Sequence, residues 1–220
     1  MVRRPVRSEF AADVYVFPGG KVEPADRVPE LTALFDAPLP ADAPDGPAFR
    51  AAAIRELFEE AGVLLTVNAA KSATREPESN ESPLRASEVD LKAIATGLKT
   101  RLCVTALHPF AHWITPETMP RRYDTWFYLT HLPPGQAPRH DEVETVDSLW
   151  ISPHEALYRA SLGTFPLVFV TQQLLDRMSM HASIDGLLAS ISPRDWQPIM
   201  PRVVDGAEGS AFLLPGEPGY

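Results

Sequence analysis

The stretch Ala51–Gly62, AAAIRELFEEAG, constrains this chain more than any other. Wound as a helix at about 100° per residue, it stacks Glu56, Glu59 and Glu60 on one face and sets Ile54, Leu57, Phe58 and Ala61 on the opposite one. One side reads as a core stripe and the other as an exposed face of carboxylates. Glu56 and Glu60 stand four residues apart, a like-charge pair that costs roughly a few tenths of a kcal/mol in an isolated helix, and Arg55 is the nearby base. Such a cluster calls for a cation. The donors are all oxygen, with no thiol or imidazole beside them, which suits Mg²⁺ or Mn²⁺.

With 220 residues and 45% hydrophobic content the chain can bury one substantial core, and we expect a single domain over 1–220. A formal charge of −9 argues against a general nucleic-acid binder, so an anionic small molecule needs a metal or focused arginines to be held. The single cysteine, Cys103, permits neither an internal disulfide nor a thiolate zinc site. The opening MVRRPVRSEFAAD lacks the apolar centre of a signal peptide, and no run reaches the ~18 apolar residues of a membrane span. The expectation is a soluble cytoplasmic protein that engages no membrane.

In chain order, Ala11–Phe17 has strand character and is ended by the turn Pro18-Gly19-Gly20, whose glycines let the backbone approach a ligand. Arg27–Phe49 is proline-rich and reads as a loop excursion with one helical turn at Pro29–Phe35. Gly62 closes the carboxylate helix, and Val63–Val67 follows as a strand. Asn68–Ser87 is a polar connection. The pattern then predicts a helix in Glu88–Leu102 and strands at Leu107–Ile114, Thr125–His131 and Glu144–Ile151. Ser152-Pro153-His154-Glu155 opens a helix with an N-cap serine, proline at the first helical position and a capping glutamate. Helices at Leu167–Met178 and Ile184–Ser190 complete it. The Pro/Gly-rich tail 192–220 has its best strand at Ile199–Val204.

These residues carry a family resemblance. Gly20, Asp26 and the run Arg55-Glu56-Leu57-Phe58-Glu59-Glu60-Ala61-Gly62-Val63 resemble the box of the Nudix hydrolases. The second half matches at each specified position. In the first half Asp26 stands where the family usually has Glu, and 28 residues separate it from Arg55 where the usual pattern has seven. A split box of this kind resembles the branch that includes coenzyme A diphosphatases of peroxisomes and mitochondria. FPGGKVEPAD, FAHWITPE with PRRYDTWFYL, and ETVDSLWISPHEAL are similar to that branch too, over about Tyr15 to Leu175.

The resemblance implies an α/β fold, a Nudix-type α/β/α sandwich with a mixed curved sheet and the 27–49 insertion inside the box. It implies metal-assisted attack of water on the diphosphate of a nucleotide-linked substrate, with coenzyme A or an acyl-coenzyme A leading. It makes Glu56, Glu59 and Glu60 metal ligands braced by Arg55, with Glu144 a further carboxylate and Glu142 its reserve. Gly19, Gly20, Arg121, Arg122 and Trp126 are candidates for substrate contact, although Trp113, Trp126, Phe127 and Tyr128 also suit a core. Asp26 suits either the box or a turn cap. Family members usually place an apolar strand ahead of the glycine turn. Here the chain starts at Met1-Val2-Arg3-Arg4, so either the true start lies upstream or the sheet lacks an edge strand, and an edge left open would invite a second copy of the chain, a homodimer. ADP-ribose, a dinucleotide or a nucleoside triphosphate are alternative substrates, and a non-catalytic nucleotide-binding module is the alternative class.

Overall fold

The core stripe of the carboxylate helix decides where the rest of the chain collects. A computed structural model describes residues 1–7, 12–67, 89–138, 147–206 and 209–220. The elements are β1 (Val2–Arg3), β2 (Tyr15–Val16), α1 (Pro29–Thr32), α2 (Pro47–Ala61), α3 (Leu91–Gly97), β3 (His108–Ile114) and β4 (Asp124–Leu129). They continue as β5 (Asp147–Ser148), α4 (Pro153–Ser161), α5 (Phe169–Ser179), α6 (Ile184–Ser190), β6 (Arg202–Gly206) and β7 (Gly209–Leu213). Helix α2 starts earlier than the glutamate pattern suggests, because Pro47 takes the first helical position, where a missing N–H costs nothing. Gly62 ends it in the left-handed region, φ 66° and ψ 14°, with its N–H bonded to Phe58 O at 2.9 Å. Ala51, Ile54 and Ala61 pack with Val63, Leu64, Leu65, Leu102, Val104 and Leu107 in one buried cluster.

The excursion 27–49 has the one helical turn expected within Pro29–Phe35, as α1, but the segment around it is anchored and part of it is core. A 3₁₀ turn at Pro24–Arg27 runs into α1, and Leu31 and Phe35 enter the same cluster as Ile54. Leu31, Leu34 and Phe35 have helical spacing, yet one turn cannot nucleate alone, so only the core could fix it. Two side chains hold the segment down. Arg101 donates to the carbonyls of Phe35 and Ala33, and the Asp36 carboxylate accepts from the backbone N–H groups of Val104 and Thr105.

Val63–Thr66 is buried and Val67 exposed, and the stretch forms no ladder, only the bridge of Thr66 to Leu102 with backbone bonds from Val67 N–H to Arg101 O and from Cys103 N–H to Leu65 O. At Leu64 a side chain takes over the strand's work. Gln136 accepts from Leu64 N–H and donates to Leu64 O, both at 2.8 Å, so its carboxamide imitates a neighbouring peptide. Helix α3 is also shorter than the Glu88–Leu102 stripe suggests, since Lys99 turns the chain at φ 49°.

Strand β1 lies between β2 and β5, antiparallel to both. A strand does precede the glycine turn: among the described residues Val2 and Arg3 are paired on both sides, so β1 is an inner strand and offers no edge of its own to a second copy. Strands β3 and β4 form a hairpin with an irregularity between Pro109 and Ala111. One face of it sends Phe110, Ala111, Trp113, Phe127 and Leu129 against Leu174 of α5 and Leu187 of α6. Among the described residues all ladders are antiparallel, and parallel pairing occurs at single bridges such as Tyr15 with Leu167 and Trp113 with Ile199. The Leu167 bridge explains why α5 begins at Phe169. Helix α4 has the expected cap, Ser152 accepting from Glu155 N–H. The tail is more ordered than its composition suggests: β6 and β7 pair, Phe212 stacks on Phe169, and Trp196 Nε1 donates to Pro109 O. Residues 68–87 and the first three residues of the expected strand Glu144–Ile151 lie outside the described residues, and β5 covers Asp147–Ser148 of the rest.

Replacing Gln136 by Ala should leave both polar groups of Leu64 buried without partners and lower stability by about 3 kcal/mol, on the scale of two lost buried hydrogen bonds. Urea unfolding monitored by circular dichroism checks this, and Gln136→Glu, which only accepts as a carboxylate but can also donate once protonated, should recover part of the loss at acidic pH alone.

Candidate active site

The centre of the site is one arginine. Arg55 sits on α2 with its guanidinium buried, and all its donors are used. Nε and Nη2 hold Asp26 bidentately at 3.1 and 2.9 Å; Nη1 reaches Glu56 Oε1 and Glu59 Oε2, each at 2.9 Å; Nη2 also donates to Lys21 O at 2.7 Å. Burial works against the charge, but Asp26, Glu56 and Glu59 outweigh it and push the guanidinium pKa above its usual value. Asp26 does both jobs the sequence offered it. It caps the 3₁₀ turn by accepting from Glu23 N–H at 2.8 Å, and it pairs with the box arginine across the insertion.

The glycine turn meets the carboxylates from the other side. Gly19 N–H donates to Glu60 Oε2 at 2.9 Å, and a Cβ built on Gly20 would lie 2.3 Å from Glu56 Oε1. The Phe17–Gly20 turn and the glutamate face therefore converge. One expectation is corrected: the face is not exposed, since Glu56, Glu59 and Glu60 retain 8%, 7% and 4% of their accessible surface. The reason is tertiary. Residues 19–26 fold back over it, which helical periodicity has no means of showing. Burial first, and Glu56 with it, raise the Glu59 carboxyl to about 7 against the pull of Arg55.

The fit of a divalent cation can be judged from the donors. Glu59 Oε1 is buried without a hydrogen-bond partner, and Gly20 brings peptide backbone to within side-chain-free distance of Glu56. An acidic all-oxygen set with an unused buried oxygen fits a hard cation in chemistry. It is not a finished cage: among the described residues no three acidic, imidazole or thiol groups are already grouped to hold a metal ion, and Arg55 separates Glu56 from Glu59.

Other expected site residues are placed less centrally. Glu144, Glu142 and His140 lie outside the described residues. Arg122 braces the β3–β4 turn by donating to Thr115 O at 3.1 Å, and Arg121 is exposed beside it. Trp126 is half-buried on β4 and stacked on His112, whereas Trp113 and Phe127 are core. Sequence reading missed a buried network behind the site. Arg50, on α2, holds Asp45 through Nε and Nη2 at 2.8 and 3.0 Å and donates to Val104 O, and Tyr128 OH donates to the same aspartate. Burial and Asp45 push the Tyr128 hydroxyl pKa up. No motif marks these three residues, because only packing brings β4 to the start of α2.

A helix that gathers three glutamates and an arginine under a glycine turn, on an α/β frame, defines a Nudix hydrolase. The comparisons agree. The NUDT19 Nudix domain family matches residues 36–163, so the chain belongs to the Nudix hydrolases of the NUDT19 kind. It is 32% identical to putative nudix hydrolase 7 of Caenorhabditis elegans over 167 residues, 76% of this chain and 50% of that protein. It is 30% identical to the acyl-coenzyme A diphosphatase NUDT19 of Gallus gallus, and 26% to that of Homo sapiens, over all of this chain and 71% of each relative. The chain thus spans half the length of the worm relative and under three quarters of the others. A crystal structure of a Nudix hydrolase from Alicyclobacillus acidocaldarius superposes with a TM-score of 0.67 at 27% identity, covering 87% of each chain.

Gly20 has no positive φ, so alanine is allowed by the backbone there and acts only through its Cβ. Gly20→Ala should push the Glu56 carboxylate off Arg55, lowering stability by about 1–3 kcal/mol and diphosphate turnover about tenfold or more. Thermal unfolding beside steady-state kinetics separates the two effects.

Proposed function

We propose that this chain is a divalent-metal-dependent diphosphatase that hydrolyses coenzyme A or an acyl-coenzyme A. The observation that carries the reading is the meeting of the Gly19-Gly20 turn with Glu56 and Glu60 over the Arg55 hub. Similarity along the whole chain to the acyl-coenzyme A diphosphatases supports the substrate class. Glu56, Glu59 and Glu60 would hold Mg²⁺ or Mn²⁺, and Glu144 is a candidate fourth carboxylate. The ion supplies charge neutralisation at the diphosphate and activates water for attack. Arg55 positions Glu56 and Glu59 through its paired hydrogen bonds, and Asp26 keeps Arg55 in place. Gly19 and Gly20 leave room for the diphosphate beside the carboxylates, with Arg121, Arg122 and Trp126 as outer contacts. In the reaction a water oxygen bonds to one phosphorus, the bridging P–O bond breaks, and coenzyme A is divided into 3′-phospho-AMP and 4′-phosphopantetheine.

Other diphosphates, such as ADP-ribose, a dinucleotide or a nucleoside triphosphate, fit the same chemistry. A silent nucleotide-binding module fits it less well. Three buried carboxylates gathered on one guanidinium leave negative charge uncompensated, which a binding module has no need to bury.

Release of 3′-phospho-AMP from coenzyme A should outpace release of AMP from ADP-ribose, vanish with a chelator and return with Mg²⁺; the reverse order of rates overturns the substrate, and indifference to the chelator overturns the metal. Glu60→Gln keeps an oxygen for Gly19 N–H but removes the charge, so turnover should fall about a hundredfold or more with the fold retained. Steady-state kinetics with a circular dichroism control measures it.

A further inference from the structure

Strand β4 alternates between two environments. Phe127 and Leu129 enter the cluster with α5 and α6, whereas Tyr128 packs against the cluster around α2, so Trp126, two residues before Tyr128, points to the α2 side of the hairpin. His112 is its partner across the β3–β4 ladder. The two rings are already stacked, centroids 4.2 Å apart and planes 12° from parallel. Asp124, in the same strand as Trp126, accepts a hydrogen bond from His112 Nε2 at 2.6 Å, which sets the plane of the imidazole under the indole. Among the described residues no other aromatic ring stacks on Trp126.

Trp126 shares its face of β4 with Tyr128, whose hydroxyl donates to Asp45, the aspartate that Arg50 holds at the start of the carboxylate helix α2. On the other face of the strand Phe17 lies edge-on to Phe127, 6.3 Å between ring centroids. Two residues after Phe17, Gly19 N–H reaches Glu60, a span of at most about 7 Å of backbone. Both the carboxylate helix and the residues leading into the glycine turn thus abut β4, the strand that carries Trp126. Base–aromatic stacking needs such a surface: a flat ring fixed in advance, with little rotamer entropy left to lose on binding. A core role explains Trp113 and Phe127, but it does not require a half-buried tryptophan to be backed by an imidazole clamped to an exposed carboxylate.

We propose that Trp126 backed by His112 is a pre-stacked platform for the planar base of the nucleotide end of the substrate, with Asp124 a positioning residue that holds His112. The proposal rests on the diphosphatase reading for its substrate class, but it can be tested by binding alone. AMP and ribose 5-phosphate are titrated into the full chain with tryptophan fluorescence and calorimetry as readouts. AMP should bind and quench, and ribose 5-phosphate should not quench. Trp126→Leu should weaken AMP about tenfold, the scale of one base–aromatic stack, while Trp126→Tyr, which keeps a stackable ring, should stay within about threefold of the original. Asp124→Asn, at an exposed carboxylate, leaves the core untouched and should weaken AMP about threefold without weakening ribose 5-phosphate. With coenzyme A the Trp126→Leu loss should appear in KM, with kcat within about threefold. Equal AMP affinity in Trp126→Leu and the original chain, or equal losses for AMP and ribose 5-phosphate, overturns the platform. Absence of any diphosphate turnover together with ring-dependent AMP binding overturns the diphosphatase reading and leaves the platform standing.

Discussion

The buried guanidinium of Arg55 is the interaction on which the architecture of this site depends. A charge taken out of water must be matched by partners of good geometry or it costs several kcal/mol. Here one side chain meets Asp26, Glu56, Glu59 and the Lys21 carbonyl together. The same bonds that compensate the charge join the two halves of the box, which lie on opposite sides of a long insertion. Without them the glutamates would have no reason to be buried, and the glycine turn would have nothing to close against.

The insertion is tolerable because both its ends are tied to the same helix. Asp26, at its start, pairs with Arg55, and Asp45, near its end, pairs with Arg50, one and a half turns earlier on α2. Between the two, Leu31 and Phe35 bury themselves in the core that Ile54 already occupies. Lengthening a closed loop adds only about (3/2)RT ln n of closure entropy, so a segment that also supplies apolar contacts costs the domain little. The two aspartate–arginine pairs thus convert an interruption of a motif into part of its support.

What could be read in the chain beforehand follows from where the governing interactions are local. The helix, its glycine stop, the Ser152 cap and the β3–β4 hairpin rest on contacts within a few residues, and they appear as expected. Val63–Val67 has the composition of a strand, but strand formation needs a partner, and here the partners are a single backbone bridge to Leu102 and the side chain of Gln136. The exposed carboxylate face failed for the same reason: periodicity separates two sides of a helix, and it does not say which side another segment will cover.

By itself the sequence determined the chemistry on offer: three glutamates and an arginine spaced to share one region of a helix, a glycine pair able to approach them, and a family likeness strong enough to imply diphosphate hydrolysis. Only the tertiary structure decided that Asp26 serves the box as well as its turn, that Gly19 and Gly20 touch Glu60 and Glu56, and that Arg50, Asp45 and Tyr128 stand behind the site. Apart from the Arg50–Asp45 pair, these are contacts between residues 29 to 83 positions apart. Such contacts depend on how packed elements share a core, and helical or strand periodicity carries no record of that.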